Sequence, residues 1–179
     1  MRLLWLGLLA ALFVGCTDLL TDSADASWKT HDGIRFSIDY PSNWDVESTE
    51  TGAVFNSPFK GASLQAGYFP LDSENETLDS YVAENKNQLN PDLLNEISSP
   101  EYQVERIELL SEANRTIQGQ RAWELEFRTT LKSGLKVRQK QIYLVKNRTA
   151  FVVTGSATDD AFSKHVIVFD RAFASFLIK

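Results

Sequence analysis

The sequence predicts an α+β domain, built on an antiparallel β-sheet of about six or seven strands with helices laid against it. Three observations carry this. Gln139 to Phe176 reads as strand, tight turn, strand and amphipathic helix. Val104 to Val145, leading into it, is a meander of alternating segments separated by turn residues. The last two strands have near-continuous apolar centres, Ile142-Tyr143-Leu144-Val145 and Phe151-Val152-Val153, as expected where a sheet is covered on both faces. The chain has 179 residues, 43% hydrophobic and 23% charged, enough for one such domain with a real core. A net charge of −6 with no basic run argues against nucleic-acid binding. A single cysteine rules out an intramolecular disulfide.

The chain opens with Arg2 and an apolar run from Leu3 to Val14. Such a run is too short for a bilayer, which takes about 20 residues, and it fits a signal h-region. It ends in Phe13-Val14-Gly15-Cys16. This resembles the bacterial and archaeal lipobox, with Phe13 where leucine is usual. The resemblance implies that residues 1–15 are a lipoprotein signal peptide and that Cys16 takes a diacylglycerol and becomes the first residue. Two other readings stay open. Ala24-Asp25-Ala26 is a site at which an ordinary signal peptidase would cut before Ser27, discarding Cys16, or the run remains as an uncleaved, poorly anchored helix. Thr17 to Ser27 is small, polar and acidic, a tether reaching at most about 36–40 Å. Residues 16–27 thus form the lipidated cysteine and its tether, and 28–179 form the domain.

Within the domain, Trp28 to His31 reads as a short strand closed by Asp32-Gly33. Ile34, Phe36, Ile38 and Tyr40 alternate with Arg35, Ser37 and Asp39, which predicts a half-buried strand ended by Pro41. Trp44 is expected back under the sheet. Ala53-Val54-Phe55 and Ala62 to Phe69 are the next strands. Thr77 is placed as the cap of a helix carrying Leu78, Tyr81, Val82 and Leu89, stopped by Asn90-Pro91. Pro91 to Pro100 reads as irregular, with one helical turn at Leu93-Leu94.

Val104 to Leu110 follows as a strand, then a turn at Gln118-Gly119-Gln120. From Arg121 to Thr129, Trp123, Leu125 and Phe127 are expected to face in, and Ala122, Glu124, Glu126 and Arg128 out. Lys136, Arg138 and Lys140 lie on the outer face of the next strand, opposite those acids, a pattern that sets register and solubility. Phe162, Val166, Phe169, Phe173 and Phe176 form one stripe on the final helix, and Asp159 and Asp160 suit its N-terminus.

Tyr40-Pro41-x-x-Trp44, Gly119-x-x-x-Trp123, Tyr143, Phe151 and Ser175-Phe176, in this order, resemble the PsbP/Mog1-like fold family over roughly Trp28 to Lys179. The resemblance implies an antiparallel sheet sandwiched between helices, an α/β/α arrangement. It also implies a domain that binds partners rather than catalyses, in a group rich in small lipoproteins. The family's metal-binding histidines have no counterparts here, so no metal site is carried over.

Other constellations fall short on their own chemistry. His31 and His165 have no neighbouring His or Cys at zinc-ligand spacing and read as surface histidines. Asp72, Glu74 and Glu76 start like a calcium loop, but Thr77 and Ala83 stand where glycine and glutamate are needed. Ser42 has no base at a useful spacing, and no nucleophile elbow or phosphate loop is present. Asn75, Asn114 and Asn147 begin N-x-S/T sequons, all at expected turns, glycosylated only in a host that does so.

No cofactor is implied. The expectation is a non-catalytic lipoprotein on the extracytoplasmic side of the cell membrane, held by a lipid anchor and meeting an envelope protein or integral membrane complex. The alternative is a small-ligand or metal-binding envelope protein, with its pocket between the sheet and the 78–89 helix. A hydrolase using His31 or His165 is the weakest reading.

Overall fold

The computed structural model describes residues 27–58 and 61–179; the expected signal peptide, Cys16 and the tether as far as residue 26 lie outside them. The chain runs β1 (Trp28–Asp32), β2 (Phe36–Pro41), β3 (Asp45–Thr49), β4 (Gly52–Asn56), β5 (Ala62–Pro70), α1 (Leu78–Gln88) and α2 (Pro91–Ile97). After a 3₁₀ turn at Pro100–Tyr102 come β6 (Val104–Ile117), β7 (Gln120–Leu131), β8 (Lys136–Lys146), β9 (Thr149–Thr158), α3 (Asp159–Ser175) and β10 (Leu177–Ile178). Seven strands form one antiparallel sheet in the order β3-β4-β5-β9-β8-β7-β6. A small antiparallel sheet, β1-β2-β10, stands apart.

Side-chain alternation sends successive residues of each strand to opposite faces. Ala122, Ile142, Leu144, Phe151 and Val153 point to the face covered by α3 and the small sheet. There they join Phe36, Phe162, Phe169, Phe173 and Phe176 in the main core. Leu125, Tyr143 and Val152 point the other way, under Leu78 and Val82 of α1. Leu94 of α2 packs with Val104 and Leu131 in a third cluster. The arrangement is the expected α/β/α sandwich. One tight point under α3 is Gly155, where a Cβ would stand 2.6–2.7 Å from two Phe169 ring carbons. Two hairpins close with two-residue turns in the left-handed region, Gln118-Gly119 (φ 48° and 76°) and Asn147-Arg148 (φ 49° and 59°). That hand matches the twist of the flanking strands.

Several expectations are corrected. Ile34 does not share the inward face of β2: it is 83% exposed, in a turn closed by Gly33 N–H donating to the Phe36 carbonyl. β3 is an edge strand that hydrophobic pattern could not announce, because all five residues are exposed. Asn90-Pro91 ends α1 but starts α2. The Asn90 side chain accepts from Asp92 N–H, and Pro91 occupies the first turn, where its missing donor costs nothing. β6 runs on to Ile117 because two bulges, at Val104/Arg106 and Leu109/Ser111, reset its register. The α3 stripe is rotated. His165, Val168 and Ala172 are buried with Phe162, Phe169 and Phe173, while Val166 is only partly covered.

Candidate functional site

α1 is held to the sheet by a small apolar contact and two ion pairs. Its start is fixed by a capping box: Ser80 N–H donates to Thr77 Oγ1 at 3.2 Å and Thr77 N–H to Ser80 Oγ at 2.9 Å. Leu78 and Val82 face down, and the Tyr81 ring meets Tyr143 edge-on at 6.1 Å. At the N-terminal end, Arg121 of β7 donates to both oxygens of Asp79, at 2.9 and 2.6 Å. Its guanidinium also reaches Asn114 Oδ1 at 3.3 and 3.2 Å. At the other end, Lys86 Nζ lies 2.6 Å from Glu112 Oε2 on β6.

Between these two pairs opens a cleft of about 340 Å³ lined by Asp79, Val82, Ala83, Lys86, Asn87 and Trp123. Trp123 forms an aromatic wall, with the Arg121 guanidinium 5.9 Å above its ring. The indole N–H is enclosed and has no acceptor among the described residues. The hydrogen bonds from Arg121 hold the Asp79 carboxyl below its usual range, and the same bonds raise Arg121. Burial pushes the Tyr143 hydroxyl well up, so it stays a neutral donor, to Gln141 Oε1. The lining thus offers an apolar, aromatic floor between charges that already neutralise one another. That is an arrangement for binding; the lining residues supply no nucleophile paired with a base.

The other candidates are scattered. His165 is not a surface residue: it is 8% exposed, its ring 6.3 Å from Trp44 and 6.2 Å from Phe169. His31 is half-buried, 5.8 Å from the Phe36 ring and 5.6 Å from Phe55. Burial lowers its pKa, with Asp32 opposing and Lys179 assisting. Among the described residues, no three His, Cys, Asp or Glu side chains gather to hold a metal ion. Glu74 of the acidic 72–76 loop pairs with Arg148 at 3.1 Å, which docks the loop on the β8–β9 turn. Ser42 N–H donates to the Ser27 carbonyl and fixes the start of the domain. Asn75, Asn114 and Asn147 are all exposed, but Asn114 lies within β6 rather than in a turn.

Most of the charges expected on an outer face of β7 and β8 lie instead beneath α3, while Lys136 stays exposed. Lys140, 7% exposed, reaches Asp170 at 2.5 Å and Glu124 at 3.5 Å, and Arg115 meets Glu124 at 3.1 Å. Arg138 bonds Glu126, and its guanidinium lies 4.7 Å over the Phe162 ring. Strict alternation was legible for this face. The helix lying over it was what the pattern could not place.

A family model described as PsbP matches residues 28–178. Cyanobacterial PsbP (CyanoP) from Synechocystis sp. PCC 6803 shares the fold with a TM-score of 0.67 at 16% identity, covering 93% of this chain and 98% of that one. PA94 from Pseudomonas aeruginosa, a protein of unknown function described as a putative regulator, aligns with a TM-score of 0.58 at 15% identity, over 85% and 97% of the two chains. A Mog1 variant aligns with a TM-score of 0.56 at 12% identity, over 85% and 96%. No curated protein matches the sequence.

Proposed function

The chain belongs to the PsbP family, and on that premise we propose that it acts as a non-catalytic interaction module tethered to the extracytoplasmic side of a membrane through Cys16. The observation that carries the reading is the α1 cleft: an open, aromatic-floored recess whose charged groups are engaged with each other. The lipobox-like Val14-Gly15-Cys16 supports the anchor, and among the described residues no helix is long and apolar enough to cross a membrane. Affinity purification from native membranes, with and without crosslinker, tests the partner. A partner should be enriched by the native chain and lost with Ala83→Arg, which fills the cleft from an exposed position. Failure to enrich any protein under either condition counts against the module. Mass spectrometry of the extracted protein tests the anchor: it should show a chain beginning at Cys16 with added acyl mass. A chain beginning at Ser27 refutes it.

A second reading draws on the size of the same recess, which falls in the range of small-ligand sites. In it the cleft takes a flat, largely apolar molecule against Trp123. Thermal-shift screening against envelope metabolites and divalent metals decides, because a bound ligand raises the melting temperature by mass action. A shift abolished by Trp123→Ala supports the ligand; no shift across the set sinks it.

A further inference from the structure

The domain begins on the flank of α3. Trp28 packs on the main core, and the Arg171 guanidinium lies 4.2 Å over its ring. The tether from Cys16 therefore arrives beside this helix. A segment of that length reaches at most about 36–40 Å, so an anchored chain keeps this flank near the bilayer. The outer side of α3 carries Lys164, Ile167 and Arg171 at spacings of three and four, one exposed stripe of the helix.

Ile167 is 63% exposed. A lone exposed isoleucine is ordinary. This one stands between two cations, next to the point where the chain leaves for its anchor. Of the neighbouring acids, Asp170 is bound by Lys140 at 2.5 Å and Asp159 by Arg128 at 3.0 Å; Asp160, exposed on the same stripe, lies in the first turn of the helix, two turns before Ile167. The middle of this face is thus locally cationic on a chain whose net charge is −6. An apolar side chain flanked by basic residues is how a helix seats on an anionic lipid surface.

We infer that the outer face of α3, centred on Ile167 with Lys164 and Arg171, rests on the anionic membrane surface. This rests on the lipid-anchor reading. Because α1 covers the opposite face of the sheet, the Trp123 cleft then opens toward the aqueous side, where a partner reaches it.

The test uses the full chain, extracted from membranes and reconstituted in vesicles of equal parts phosphatidylcholine and phosphatidylglycerol. A fluorophore is placed at Ile167→Cys or, on the α1 side, at Asn87→Cys, and quenched by nitroxide-labelled lipid. Both positions are exposed, so neither change disturbs the core. Quenching should be severalfold stronger at 167 than at 87. The difference should shrink with Lys164→Glu and in high salt, which screens exposed charges. Equal quenching, or stronger quenching at 87, overturns the orientation while leaving the anchor in place. A second label on Cys16 itself marks an unlipidated thiol, and then the anchor and the orientation fall together.

Discussion

Beneath α3 the large sheet presents Phe55, Leu64, Leu144 and Val153, none more than 1% exposed. Beneath α1 and α2 the same sheet presents Thr129, Gln139, Gln141 and Thr154, also buried but polar. On the first face one continuous core joins sheet, helix and small sheet. On the second, two small apolar clusters stand apart, and the buried amides are satisfied locally, as Gln139 is by Ser156 at 3.1 Å. The ionic groups differ too. Under α3 they are largely enclosed, whereas the α1 pairs lie in solvent, with Arg121 and Asp79 more than half exposed. A helix held by a few apolar contacts and solvated ion pairs opens at a lower free energy than one embedded in the main core. The α3 face therefore sets global stability, and the α1 face has the latitude that a recognition surface needs.

Single substitutions test that contrast. The largest effect belongs to Phe173→Asp, which removes a ring that is 2% exposed and buries a carboxylate. It should cost at least about 4 kcal/mol and leave the chain unfolded by circular dichroism. A folded variant would end the idea that α3 governs stability. Gly155→Ala comes next, at about 1–3 kcal/mol in chemical denaturation, because its Cβ meets the Phe169 ring. On the other face, Val82→Ala should cost about 1–2 kcal/mol. It should raise hydrogen exchange in α1 alone; loss of protection spreading into β8 and β9 would show that the two faces are one unit.

The smallest effect is that of acid on the Asp79–Arg121 pair. The Asp79 pKa lies below its usual value of 3.8 in the fold. The pair's contribution is therefore complete above that value and is lost as pH falls through the lower, folded value. Exchange protection of α1 should decline in that acid range in the native chain. Asp79→Asn should remove the dependence, and an unchanged profile would show that the pair does not hold the helix.

Much of the fold was legible because its signals are local. Alternation in β7 and the cap at Thr77 can be read residue by residue. The stripe on α3 was legible in period but not in phase, since His165 is buried by contacts with Trp44 that only tertiary structure supplies. β3 and the second half of β6 were missed for one reason: edge strands bury little and carry no apolar rhythm. Of the candidate site, the helix and Trp123 were visible separately. Their juxtaposition depends on Arg121 reaching Asp79, 42 positions apart, and no sequence pattern encodes that pairing.

The bulges in β6 also bear on how the protein behaves when crowded. At the outer edge of the sheet, the longest unbroken register with β7 is Ser111–Ile117, with a shorter run at Arg106–Leu109; Glu105 and Leu110 have no opposite residue. A second chain zipping onto that edge would find seven consecutive rungs rather than fourteen, interrupted by a kink beside two partly bare leucines, Leu109 and Leu110. Such a flaw in the ladder disfavours its continuation into a second chain, the hazard that a long open edge carries.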